Sequence, residues 1–217
     1  MSKRGKAYVK AKEKIAARAY AINEAIPLLK EVKTSKFDES VDVSVRLSVD
    51  PKYPEQMVRG TVVLPFGTGK VKRVLVIAAG EKQKEASEAG ADHVGGEEIV
   101  EKIQKENWFD YDVVIATPDM MKSVGKLGKA LGTKGLMPSP KSGTVTFNVK
   151  DTVAEIKKGR VEFRVDKSGI INSTIAKTSF DAEKIIENAK TFLTAILKAR
   201  PVTAIRSTAL ISPVARK

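Results

Sequence analysis

The chain of 217 residues contains no cysteine. That excludes a disulfide framework, a thiolate metal site and a cysteine nucleophile. It has a single histidine, His93, too few for a multi-histidine metal centre and a poor start for a Ser-His-Asp hydrolase. Aromatic residues make up 6%, so any base-stacking surface must rest on very few rings. No long hydrophobic run occurs: the longest, Val74 to Ala79, falls far short of the roughly 20 residues that span a bilayer. The first residues, Met1-Ser2-Lys3-Arg4-Gly5-Lys6, precede no apolar segment and do not read as a secretory signal. The expectation is a cytoplasmic protein with no membrane partner.

What the chain has in excess is positive charge. Thirty-nine Lys and Arg against 26 Asp and Glu give a net +13, which points to a polyanionic partner. The excess is uneven: +5 over residues 1–66, +2 over 67–159 and +6 over 160–217. Patterning divides at the same places. Ser40 to Val49 carries an apolar residue at every second position, a strand with one buried face. Arg59 to Leu64 reads as another. Asn23 is placed to cap a helix through Val32, with Pro27 in its first turn. Val161, Phe163 and Val165 alternate, Asp166-Lys167-Ser168-Gly169 turns the chain, and Ile170 to Ile175 returns it as a hairpin. A helix follows, capped at Asp181, with Ile185, Ala189, Phe192 and Ile196 on one stripe. Between these ends, Val71–Ala78 and Asp112–Ala116 are nearly continuous apolar strands, with helical stretches at 81–89, 97–106 and 118–131, the pattern of a parallel βαβ sheet. The expected architecture is therefore two domains of mixed α/β and α+β class. A split α+β domain (1–66 plus 160–217, an antiparallel sheet with helices) is interrupted by an inserted Rossmann-like α/β domain (67–159).

Nucleotide chemistry fails on the loops. The first βα turn, Ala78-Ala79-Gly80-Glu81, lacks G-x-G-x-x-G, and the glycines of Pro65-Phe66-Gly67-Thr68-Gly69-Lys70 precede a strand instead of opening a helix. They read as a joint between domains. Gly125-Lys126-Leu127-Gly128 has the G-x-x-G spacing that clamps nucleic-acid backbone in KH modules, but the pattern is short, and the preferred reading is a helix interrupted by small residues for packing. His93 reads as a structural residue in a turn, Trp108 and Phe109 as core. No carboxylate pair suggests acid–base catalysis, so no catalytic residue, metal ligand or cofactor is expected. Lys36-Phe37-Asp38 ahead of the first strand, and Arg164, Asp166, Lys167, Ser168 and Gly169 around the turn, offer phosphate contacts and one aromatic face. The alternative is a solvated charged surface with Phe37 in the core.

These segments resemble a known family. Thr34 to Asp42, Val58 to Pro65 followed by Gly67 to Lys70, Gly132 to Val145, and Phe163 to Gly169 are similar, in order, to blocks of the ribosomal protein L-one family, large-subunit proteins of the mobile stalk beside the tRNA exit site. Phe66 stands where that family carries His. The resemblance implies a non-enzymatic protein of the large ribosomal subunit, monomeric outside the ribosome. Its split domain would bind large-subunit rRNA, and it would repress translation of its own operon mRNA. It implies rRNA contacts at Lys36, Phe37, Ser40, Asp42, Arg46, Arg164, Asp166, Lys167, Ser168, Gly169, Ser207 and Thr208. Lys126, Lys129 and Lys134 would face exit-site tRNA.

Overall fold

Alternating Val41, Val43, Val45 and Leu47, all at most 4% exposed, make a strand whose neighbours come from far along the chain. The computed structural model describes residues 6–16, 18–33, 37–53, 56–199 and 207–214. In chain order its elements are α1 (Lys6–Glu13), α2 (Ile22–Glu31), β1 (Ser40–Leu47), β2 (Arg59–Val63), β3 (Val74–Ile77), α3 (Glu81–Glu88), β4 (His93–Gly95), α4 (Glu97–Glu106), β5 (Val113–Ala116), α5 (Met121–Gly125), α6 (Gly128–Thr133), α7 (Val149–Lys158), β6 (Arg160–Arg164), β7 (Ile170–Lys177), α8 (Ala182–Ala199) and β8 (Ser207–Val214). Two compact units result, one from residues 1–69 with 163–217, the other Lys70–Glu162.

In the first unit β1 is the centre of a three-stranded sheet ordered β7-β1-β8, antiparallel to both neighbours. The apolar stripe of α8 packs on β2 and β7, and α2 packs on α8. Phe163 of β6 meets Phe192 of α8 edge to face at 5.7 Å, the geometry aromatic quadrupoles favour. In the second unit β3 lies between β4 and β5, all parallel. Its side chains alternate between two layers. Val74, Val76 and Ala78 pack with α3 and α7 through Ala86, Val149, Val153 and Ile156. Leu75 and Ile77 pack with Val100, Ile103, Val124, Leu127 and Leu131 from the opposite side. Being covered on both faces is why these strands read as unbroken apolar runs.

Four local expectations are corrected. The helix expected to start at Asn23 begins earlier: Ala21 is the N-cap, with no side-chain cap bond, and Pro27 lies in the helix interior. The expected 118–131 helix is broken into a short 3-10 turn at Pro118–Met120, α5 and α6, with Gly125 ending α5 and Gly128 opening α6. His93 sits in β4, its ring 4.7 Å from that of Trp108. The 166–169 turn does not join a two-stranded hairpin. β6 pairs with β2 and β7 with β1, and only Val165 and Ile171 form a bridge across it. Trp108 and Phe109 are partly buried against the second core.

Candidate nucleic-acid interface

The register of β1 decides which side chains meet. Arg46 stands opposite Ile170 on β7 and Thr208 on β8, and Leu47 opposite Ser207. One end of this sheet thus gathers Arg46, the 166–169 turn and the start of β8. The side chains of Ser207 and Thr208, and the whole of Lys36, lie outside the described residues. The turn is rigid. Asp166 Oδ1 accepts from the backbone N–H of Ser168 (2.7 Å) and of Ile170 (3.0 Å), and Gly169 O accepts from Leu47 N (2.9 Å). Gly169 has φ +75°, and a Cβ there would come within 3.3 Å of Leu47 O and Val49 O, so only glycine fits. Asp166 therefore shapes the turn, while Lys167 and Ser168 project at its exposed tip and Arg164 is exposed on β6.

Ser40 and Asp42 do not fit a contact surface. They are 1% and 7% exposed. Asp42 Oδ1 accepts a 2.7 Å hydrogen bond from Thr174 across the β1–β7 pair, and Ser40 Oγ has no partner among the described residues. Both positions are buried despite their polarity, and Asp42 is tied across to β7 by the Thr174 bond. Sequence parity alone could not show this.

Phe37 is 41% exposed. The strand starts at Ser40, so the alternation that would have turned its ring inward does not extend to it. The next residue holds it in place. Asp38 accepts from Thr178 Oγ1 (3.0 Å), Ser179 N (3.0 Å) and Ser179 Oγ (2.9 Å). Burial works to raise the Asp38 carboxyl, but the hydrogen bonds from Ser179 and Thr178 and the charge of Lys177 outweigh it, leaving it below its ordinary 3.8. A depressed carboxylate stabilises the fold above its unfolded value, and that contribution fades as pH falls through the lower folded value. The stability gap between wild type and Asp38→Asn is therefore expected to close on acidification below pH 3.8. Denaturant midpoints taken in steps of pH would show it, and a gap constant across that range would contradict it.

A residue the sequence did not single out anchors the end of the first unit. Asn188, 0% exposed on α8, donates from Nδ2 to Gly67 O (2.9 Å) and Ile175 O (2.9 Å), and its Oδ1 accepts from Phe66 N (3.3 Å). The available signal was an asparagine three residues after Ile185 and four before Phe192, on the buried stripe.

In the second unit Lys126, Lys129 and Lys134 are exposed, and Lys134 Nζ lies 3.8 Å from the Phe109 ring centroid. Among the described residues no group of three or more His, Cys, Asp or Glu could hold a metal ion, and no helix is long and apolar enough to cross a membrane.

Comparison with known proteins supplies the last observation. The model of the ribosomal protein L1p/L10e family matches residues 29–212. Large ribosomal subunit protein uL1 of Solibacter usitatus (strain Ellin6076) is 60% identical over 202 residues, covering 93% of this chain and 85% of that protein.

Proposed function

Because this chain belongs to the ribosomal protein L1p/L10e family, structural ribosomal components and not enzymes, we propose that it is a large-subunit protein whose first unit binds large-subunit rRNA. Supporting this is the single row that puts Arg46 beside the Lys167 turn and the start of β8. A rigid sheet end bearing exposed cations suits folded RNA, which is recognised through shape, phosphates and 2′-hydroxyls. The second unit is read as part of the mobile stalk, with Lys126, Lys129 and Lys134 toward exit-site tRNA. The same rRNA-binding surface would take a similar fold in the protein's own operon mRNA and repress its translation. The protein is read as a monomer outside the ribosome.

Filter-binding titrations with an rRNA fragment test the surface. Lys167→Ala is expected to weaken binding and to reduce the slope of log affinity against log salt by about 0.7–0.9, the loss of one phosphate contact. Phe37→Ala is expected to cost about 1–3 kcal/mol of RNA affinity with little change in thermal unfolding, since its ring is not core. An unchanged salt slope and unchanged affinity in both variants would move the interface elsewhere.

A further inference from the structure

The G-x-x-G spacing at 125–128 has two sources, close packing of small residues or a turn that takes nucleic-acid backbone, and the structure separates them. A Cβ built on Gly125 or on Gly128 meets nothing within 4 Å, and the same is true of Gly132. Packing does not require glycine at these positions. Backbone conformation does not require it either, since none of these three glycines has a positive φ. Gly125 ends α5 and Gly128 opens α6, places where glycine lowers helix propensity and where neither packing nor a positive φ asks for it. The tetrapeptide joins two short helices, α5 and α6. Leu127, 1% exposed, seats the turn in the core, while Lys126 is exposed. Lys122, Lys129 and Lys134 are exposed nearby in sequence. Between Asp119 and Asp151 there are six lysines and no acidic residue, inside a unit otherwise close to charge balance. Glu97 and Glu101, which line the groove between α4 and α5 together with Lys126, mark the border of this basic surface.

We propose that Gly125-Lys126-Leu127-Gly128 is a clamp for the sugar–phosphate backbone of unpaired RNA. Bare glycine backbone lets the strand approach to contact, Lys126 and Lys129 neutralise its phosphates, and buried Leu127 keeps the turn rigid. This rests on the reading that the second unit meets RNA. It narrows that reading from general lysine charge to one turn and one form of RNA.

The full chain, isotope-labelled, is titrated with an unstructured oligoribonucleotide and separately with the same sequence as a duplex, and amide resonances are followed. The oligoribonucleotide is expected to shift residues 125 to 129, and the duplex to leave them in place. Gly125→Ala with Gly128→Ala is expected to keep or raise the unfolding midpoint of the second unit, read from the fluorescence of its Trp108, and to weaken binding at these amides about tenfold, or 1.4 kcal/mol. Lys126→Ala is expected to weaken the same binding and lower its salt slope by about 0.7. A glycine-to-alanine pair that binds like wild type, or that lowers the midpoint, overturns the clamp. If Lys126→Ala weakens binding while the alanine pair does not, RNA still meets this unit and only the clamp falls. Shifts confined to residues of the first unit overturn both.

Discussion

Replacing Asn188 with alanine is expected to lower the stability of the first unit by about 3 kcal/mol. The amide is fully buried and makes three hydrogen bonds: to Gly67 O, to Ile175 O, and from Phe66 N. Alanine leaves all three backbone groups without their partner, each at roughly 1 kcal/mol or more. Asn188→Asp keeps the shape and can still accept from Phe66 N, yet it turns a carboxylate oxygen toward two carbonyl oxygens in a buried site. It should be the more damaging substitution at neutral pH and should recover in part as the pH is lowered and the acid takes a proton. Because the two units are separate, a single transition is not assumed. Trp108, the sole tryptophan, reports the second unit and should unfold as in wild type while circular dichroism shows the first unit melting early. Equal losses by both probes would mean that Asn188 does not act locally.

Phe163→Ala should cost about 3–5 kcal/mol, the range for a buried phenylalanine lost to a cavity. Its ring is 2% exposed and packs edge to face on Phe192. It also lies against Gly60 of β2, where an added Cβ would come 2.8 Å from Phe163 Cζ. Gly60→Ala in the wild-type background must push the ring aside and is expected to destabilise. In the Phe163→Ala background that obstacle is gone, and the same substitution should cost far less. The two changes should therefore be strongly non-additive, the double mutant being more stable than the sum of the singles implies. Urea midpoints of the four proteins close the cycle. Additivity would show that glycine at 60 is unrelated to the ring.

Much of the fold was legible because burial on one or both faces writes a period into the sequence. The two-sided burial of β3 produced its unbroken apolar run, and the one stripe of α8 its helical spacing. Failures came where a polar side chain works inward or where pairing is decided at long range. Ser40 and Asp42 look like surface residues, and only the fold shows them buried and Asp42 bonded to Thr174 of β7. The turn at 166–169 looks like a hairpin because its local chemistry is that of a hairpin, and only the sheet partners, β2 and β1, reveal that its two arms separate. Of the candidate interface, the charge excess and the turn chemistry at 166–169 are written in the sequence. The Asp38 clamp on Thr178 and Ser179, some 140 residues away, could not, since nothing local announces it.

The position of β1 also sets an order of assembly. Its neighbours pair Ser40 with Lys177 on one side and with Val214 on the other, whereas the second unit is one continuous stretch, Lys70–Glu162. Domains fold as units while the chain emerges N-terminal end first. The second unit is thus complete before either partner of β1 has been made. Until then β1 carries unpaired N–H and C=O groups along both sides, a template for pairing with another chain. A nascent chain halted just short of Ser207 would hold a finished second unit, a sheet lacking one flank, and an open strand edge. The surface proposed for rRNA is completed only when β8 pairs with β1, whereas the turn proposed to hold RNA in the second unit is finished before it.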